Sequence, residues 1–151
     1  MKLDGSFSHL QAFNALILAY QDEAFTLACY LLSDEERASE VVQDACRETY
    51  QASCDRQTPV RSDILHRVVR SCLALAGRSN GSSAVADARR HNLALLPMDQ
   101  RVLVVLVDVL GLDYCEAAQV LHKSTPFVRR KLAKGRARLA SLPGLRNSLS
   151  P

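Results

Sequence analysis

Apolar positions along this chain recur at helical spacing, and no segment alternates strictly enough to demand a strand. Over about 8–21, Leu10, Phe13, Leu16, Ile17 and Tyr20 fall three and four apart on one face. A second helix is expected over about 23–32. Ser33-x-x-Glu36 then reads as a capping box opening a third. In that helix Ala38, Val41, Val42, Ala45, Cys46 and Thr49 lie inward, and Glu40, Gln43, Asp44, Arg47 and Glu48 lie outward. Thr58-Pro59 breaks the chain. A fourth helix over about 62–76 buries Ile64, Leu65, Val68 and Val69.

The stretch GRSNGSSAVAD, Gly77–Asp87, nearly lacks large apolar residues and reads as a flexible linker. The apolar run Val102–Leu110 is β-branched enough to suggest a strand. Pro97 before it and Gly111 after it fit a helix start and stop better. Asp113-x-x-Glu116 is a second capping box, for a short helix over about 114–121. His122-Lys123 turns the chain, Ser124 or Thr125 caps a last helix with Pro126 in its first turn, and Leu142-Pro143-Gly144 ends it. The expected architecture is all-α: a helical domain at 1–76, a linker at 77–91, a second helical domain at 92–144 and a tail at 145–151.

Charge changes this picture. The net charge of +3 hides a strong asymmetry: residues 1–58 sum to −6, residues 59–91 to +4 and residues 92–151 to +5. An acidic front and a basic back suggest two different partners, one of them anionic. The cations concentrate in STPFVRRKLAKGRARL, Ser124–Leu139, which holds six Lys and Arg and no acid. Solvated helix faces usually mix signs, so a single sign calls for a polyanion or an acidic partner. A short helix, a turn of about four residues and a longer basic helix form a helix-turn-helix, whose second helix can enter a major groove. Val128, Leu132, Gly135 and Leu139 make its inward seam, with small Ala117 and Ala118 where the two helices cross. Ser124, Thr125, Phe127, Arg129, Arg130, Lys131, Lys134, Arg136 and Arg138 are the candidate DNA contacts.

Other chemistry is sparse. The five cysteines show no C-x-x-C spacing and no His at ligand spacing from a pair, so neither a disulfide framework nor a zinc site is expected. His9, His66, His91 and His122 are scattered, and no nucleophile–base pair or phosphate-cradling glycine loop is visible. The expectation is no enzyme, no cofactor and no metal. Nothing approaches about 18 consecutive apolar residues, so no membrane partner is expected and the cytoplasm is the expected address.

The segment LLPMDQRVLVVLVDVLGLDYCEAAQVLHKSTPFVRRKLAKGRARL resembles region 4 of the sigma-70 family, in its extracytoplasmic-function (ECF) form, through Leu96-Pro97, Arg101, Gly111, Tyr114, Glu116, Ala118, Val128, Arg136 and Leu139. The front half resembles region 2, with Val41-Val42-Gln43-Asp44-Ala45 at its centre. The resemblance implies a transcription initiation subunit. Its third helix would dock on RNA polymerase core through Glu40, Gln43, Asp44 and Glu48, and its last helix would read an upstream promoter element. Arg61, His66, Arg67, Arg70 and Ser71 would meet the downstream element, and an anti-sigma factor is a further implied partner. This chain departs from the pattern where promoter DNA is opened. Ile64 stands where the family carries Trp, Ser71 where it carries Asn, and no Phe, Tyr or Trp occurs from Gln51 to Asp113. A sigma-like regulator or mimic that does not melt promoters is therefore the second reading, and a plain helix-turn-helix repressor the third.

Overall fold

The computed structural model describes residues 3–55, 60–76 and 92–142. The first two expected helices are one: α1 runs unbroken over Leu3–Leu32. No Gly or Pro interrupts it near Asp22, and its inward face continues from Phe13 through Ala24, Leu27, Ala28 and Leu31, all buried. Leu10, expected inward, is exposed at 41% because the core begins one turn later. The segment Phe7–Leu32 has the length and mean hydropathy, 1.2, of a membrane span. Here its buried side chains pack in a core shared with α2 and α3.

Helix α2 spans Glu35–Asp55. Its cap is Asp34, whose Oδ1 accepts from Arg37 N at 3.1 Å, and not Ser33. Ser33 instead ends α1 in the left-handed region, φ 56°, with its N–H donating to Cys29 O at 2.9 Å. The expected inward set of α2 holds: Ala38, Val41, Ala45 and Thr49 are buried, and Val42 and Cys46 half-buried. The Thr49 hydroxyl donates to Ala45 O, which satisfies it inside the helix.

Helix α3, Arg61–Ala76, buries Ile64, Leu65, Val68, Val69 and Cys72. The expected linker at 77–91 and tail at 145–151 lie outside the described residues. Leu93 and Leu96 are buried ahead of α4, Met98–Val104. That helix continues directly into a π-helical turn, Val105–Val109. There Leu110 N–H reaches back five residues to Val105 O at 2.9 Å, so the expected uniform helix over 98–110 widens at its end. Gly111, at φ 75°, then reverses the chain in a conformation that strains other residues.

Helix α5 is Tyr114–Leu121, and both arms of its capping box form: Glu116 N to Asp113 Oδ1 at 2.8 Å and Asp113 N to Glu116 Oε2 at 2.9 Å. Helix α6 is Thr125–Ser141 with Ser124 as its cap. Helices α1–α3 form one bundle and α4–α6 the other. Their apolar sides join in one continuous core, in which Leu27, Leu31, Ile64 and Leu65 are contiguous with Leu103, Leu106, Val120 and Leu132.

Candidate nucleic-acid interface

The helix-turn-helix forms as its spacing requires. His122 ends α5 in the left-handed region at φ 53°, and its N–H closes the helix on Gln119 O. Ala117 and Ala118 are buried where α5 meets α6. The inward seam of α6 is Val128, Leu132 and Gly135, all buried, with Leu139 half-buried. At Gly135 the helix crosses α4 so closely that an added Cβ would stand 3.0 Å from Val104 Cγ2. The seam fixes what faces out. Arg130, Lys134 and Arg138 fall four apart on the solvent side, each exposed. Among the described residues none of the three has an acidic partner. Like charges at this spacing repel, costing about 0.2–0.5 kcal/mol per pair. A polyanion would remove that cost.

The other expected contacts divide. Arg129 is exposed, with its guanidinium carbon 5.6 Å from the Tyr114 ring centre. Lys131 Nζ sits 2.7 Å from Asp99 Oδ2 of α4. Arg136 forms a two-pronged pair with Asp108 of the π-helical turn, Nε to Oδ2 at 3.0 Å and Nη2 to Oδ1 at 2.5 Å. The hydrogen bond from Lys131 holds Asp99 below the usual carboxylate range, and that from Arg136 to Asp108 raises the guanidinium above its ordinary value. Ser124 spends its hydroxyl on the cap, accepting from Phe127 N at 3.4 Å, and Thr125 is half-buried in the first turn. Phe127, expected to face DNA, instead walls a groove toward α3 with His66, Val69, Leu73, Val102 and Leu121. The groove encloses about 230 Å³. Phe127 turns that way because its position in the first turn lies beside the α5–α6 corner, where apolar surface of α3 is available.

On α2, Glu40 is exposed and forms no ion pair among the described residues. Gln43 reaches Ser39 Oγ at 3.5 Å, and Asp44 pairs with Arg47 at 2.9 Å. Glu48, on the same face with its side chain 44% exposed, turns toward α3. It accepts from Arg70 Nη2 at 2.8 Å, and Arg67 Nε stands 3.9 Å away. One carboxylate thus engages two of the cations expected at downstream DNA.

Two of the remaining downstream candidates, Arg61 and His66, are engaged as well. Arg61 holds Glu23 of α1 through two 2.7 Å bonds and lies 3.8 Å from Glu116 of α5. The hydrogen bonds to Glu23 raise its pKa above the ordinary value. The His66 ring Nδ1 lies 2.7 Å from Val120 O, so this nitrogen carries the proton and donates. The ring stacks on His122 at 3.9 Å between centres, 10° from parallel. Ser71 is half-buried. Face-on contact between α3 and the α5–α6 corner therefore covers part of the surface the sequence assigned to downstream DNA. Arg101 completes the tie. Its guanidinium donates to Leu31 O at the end of α1 at 3.1 Å, and to Ala94 O and Leu96 O at 2.7 and 3.0 Å. Sequence reasoning found none of Asp99, Asp108, Arg101 or His122 as structural partners, because each acts across elements distant in the chain.

Comparison with known proteins then decides the family. Residues 91–139 match the model for sigma-70, region 4. An ECF RNA polymerase sigma factor SigM of Mycobacterium tuberculosis (strain Erdman) is 30% identical over 91% of this chain and 80% of its own length. The chain belongs to the ECF sigma factors of the sigma-70 family. The fold is similar to two solved structures. The sigma factor RpoE in complex with the anti-sigma factor NepR from Bartonella quintana aligns with a TM-score of 0.68 at 19% identity, over 84% of this chain and 93% of that one. CnrH, in complex with the cytosolic domain of CnrY, aligns with a TM-score of 0.76 at 22% identity, over 94% and 96%. In this sigma factor no group of three or more His, Cys, Asp or Glu gathers to hold a metal among the described residues. The nearest thing to a catalytic pair is Ser53 with His9 Nε2 at 3.0 Å. The Ser53 proton goes to Tyr50 O at 2.7 Å, so this histidine nitrogen donates to the serine rather than activating it.

Proposed function

We propose that this sigma factor binds RNA polymerase core in the cytoplasm and directs it to promoters. The observation that carries the reading is the acid-free stripe Arg130–Lys134–Arg138 on the outer face of the second helix of a helix-turn-helix. Arg129 beside it and the α6 N-terminus at Ser124 and Thr125 would reach base edges, while the later cations hold phosphates. Glu40, Gln43 and Asp44 on the free face of α2 form the surface for core polymerase, with Glu48 shared between that face and α3. An anti-sigma factor is a fitting partner, since the two solved relatives were captured with the anti-sigma factor NepR and with the cytosolic domain of CnrY.

One observation favours a second reading, a regulator that occupies polymerase or an anti-sigma factor without melting promoters. Helix α3 offers no aromatic surface, and its Arg61 and His66 are engaged with α1 and α5. On the first reading Arg61, Arg67 and Arg70 must exchange their carboxylate partners, and His66 its carbonyl on α5, for DNA. Run-off transcription with core polymerase on a genomic promoter library separates the two. Defined start sites support the initiating sigma factor. Polymerase binding without any start site supports the regulator, and no polymerase binding refutes the initiating sigma factor and leaves only a regulator that occupies an anti-sigma factor.

A further inference from the structure

Two acids lie against a helix whose charge otherwise has one sign, and they touch it on opposite sides. Lys131 and Arg136 are five residues apart, so at 3.6 residues per turn they point about 140° from one another. Between them runs the inward seam, with Gly135 resting on Val104 and Gln100 of α4. At Gly135 the seam has no side chain, so Val128 and Leu132 resist rolling of the helix about its own axis from within the core and the flanks must set its fine orientation. The two ion pairs do so: Asp99, from the start of α4, holds one flank through Lys131, and Asp108, from the π-helical turn, grips the other through both prongs of Arg136.

We infer that Asp99 and Asp108 are positioning residues that fix the roll of the DNA-reading helix, and that Lys131 and Arg136 are their anchors rather than phosphate contacts. The inference rests on the reading of α6 as a promoter-reading helix. Side-chain tips stand about 5–6 Å from a helix axis, so a roll of about 15° moves each by about 1.5 Å. Hydrogen bonds to base edges tolerate only about 0.5 Å of stretch, so such a roll disrupts discrimination between bases. Exposed ion pairs contribute little to stability, so the effect appears in selectivity and not in melting. The π-helical turn has a role here, because it carries Asp108 to the flank that Arg136 occupies.

The test uses the full chain and a duplex that the unaltered protein selects from a random-sequence pool, with a scrambled duplex of equal length as reference. Each phosphate contact contributes about 0.9 to the slope of log affinity against log salt. Lys134→Gln, the control, should lower the slope by about that amount. Lys131→Gln and Arg136→Gln should leave it unchanged. Asp99→Asn with Asp108→Asn should reduce the ratio of selected to scrambled binding at least tenfold, since released cations also strengthen binding to any duplex. Asp99→Glu with Asp108→Glu should retain the ratio, and helix content and melting temperature should hold throughout. A slope lowered by about one contact in Arg136→Gln or Lys131→Gln overturns the inference, as does an unchanged ratio in the double Asn variant. If the unaltered chain selects no duplex at all, the promoter-reading function itself is refuted, and this inference with it.

Discussion

Arg101→Met tests how the two bundles are held together. Arg101 keeps its guanidinium at the end of α1, where the last carbonyls of a helix lack intrahelical partners and the helix dipole favours a cation. Its three carbonyl acceptors come from two places: Leu31 of the front bundle, and Ala94 and Leu96 of the segment leading into α4. No carboxylate pairs with it among the described residues, and burial lowers its pKa from the ordinary arginine value. A hydrogen bond from a charged group is worth about 1.5–3 kcal/mol, so three amount to roughly 4–9 kcal/mol gross. Desolvation of the guanidinium returns several kcal/mol of that to the unfolded state. Methionine keeps the apolar stem and loses the bonds, so the net cost is about 2–4 kcal/mol. For a chain of this length each kcal/mol lowers Tm by about 2–4 °C, which predicts a fall of roughly 5–15 °C. Urea and thermal unfolding followed by circular dichroism measure it. The tie between bundles also predicts a broader or two-step transition in the variant. A change below about 0.5 kcal/mol would refute the reasoning, because the buried charge would then cost as much as its hydrogen bonds return.

Three further outcomes follow from individual contacts. Asp113→Ala removes the side-chain arm of the α5 capping box, in which Asp113 Oδ1 accepts from Glu116 N, and should cost about 1 kcal/mol, read as a lower Tm. Val120→Asp places a carboxylate at a buried position of α5, beside Leu65 of α3; it should part the bundles, raising the radius of gyration in small-angle scattering above the roughly 15 Å of a compact body of this length, with helix content retained. Asp99 has a depressed pKa, through its bond from Lys131 first. Its contribution is therefore present above the ordinary carboxylate pKa and lost as pH falls through the lower folded value. Asp99→Asn should accordingly cost less than about 1 kcal/mol near neutrality and nothing near pH 2, by urea unfolding at both pH values.

Local signals proved legible and cross-chain ones did not. The α5 box, the Ser124 cap and the inward face of α3 each depend on residues within one or two turns, and each formed where its residue types placed it. Errors arose where a choice depended on distant packing. Ser33 and Asp34 are equally good caps on paper. Continuation of α1 put Ser33 at the left-handed exit and left Asp34 to cap. No break occurs near Asp22, because a charged pair does not stop a helix whose apolar face continues. The π-helical turn was invisible, since a run of Val and Leu fits an α-helix as well as a wider turn. On α6 the cations could be counted from sequence. Their division into an outward stripe and two anchored residues could not, because Asp99 and Asp108 precede their partners by 32 and 28 residues.

The same distinction decides what the missing aromatics mean. Residue 64 is where the family pattern carries Trp, and restoring it by Ile64→Trp would look like a repair of base capture. Ile64 is 1% exposed and belongs to the core that α3 shares with α1. An indole there would meet packed side chains and no DNA. Forcing extra volume into a filled core costs about 1–3 kcal/mol, whereas a base stacked on an exposed aromatic returns roughly 1–3 kcal/mol. Only the first of these can apply at a buried position. Ile64→Trp should therefore lower Tm by several degrees and leave promoter opening unimproved, judged by permanganate reactivity of thymines on a matched promoter with core polymerase. Leu73 is the contrasting site on the same helix, exposed at 45% on the rim of the groove beside Phe127. An aromatic there has room, so Leu73→Trp should keep its stability within about 0.5 kcal/mol, as surface substitutions do. Increased thymine reactivity in Ile64→Trp, with unchanged Tm, would show that α3 turns this residue outward when it meets DNA, and that its place in the core is not what keeps aromatic stacking out of this chain.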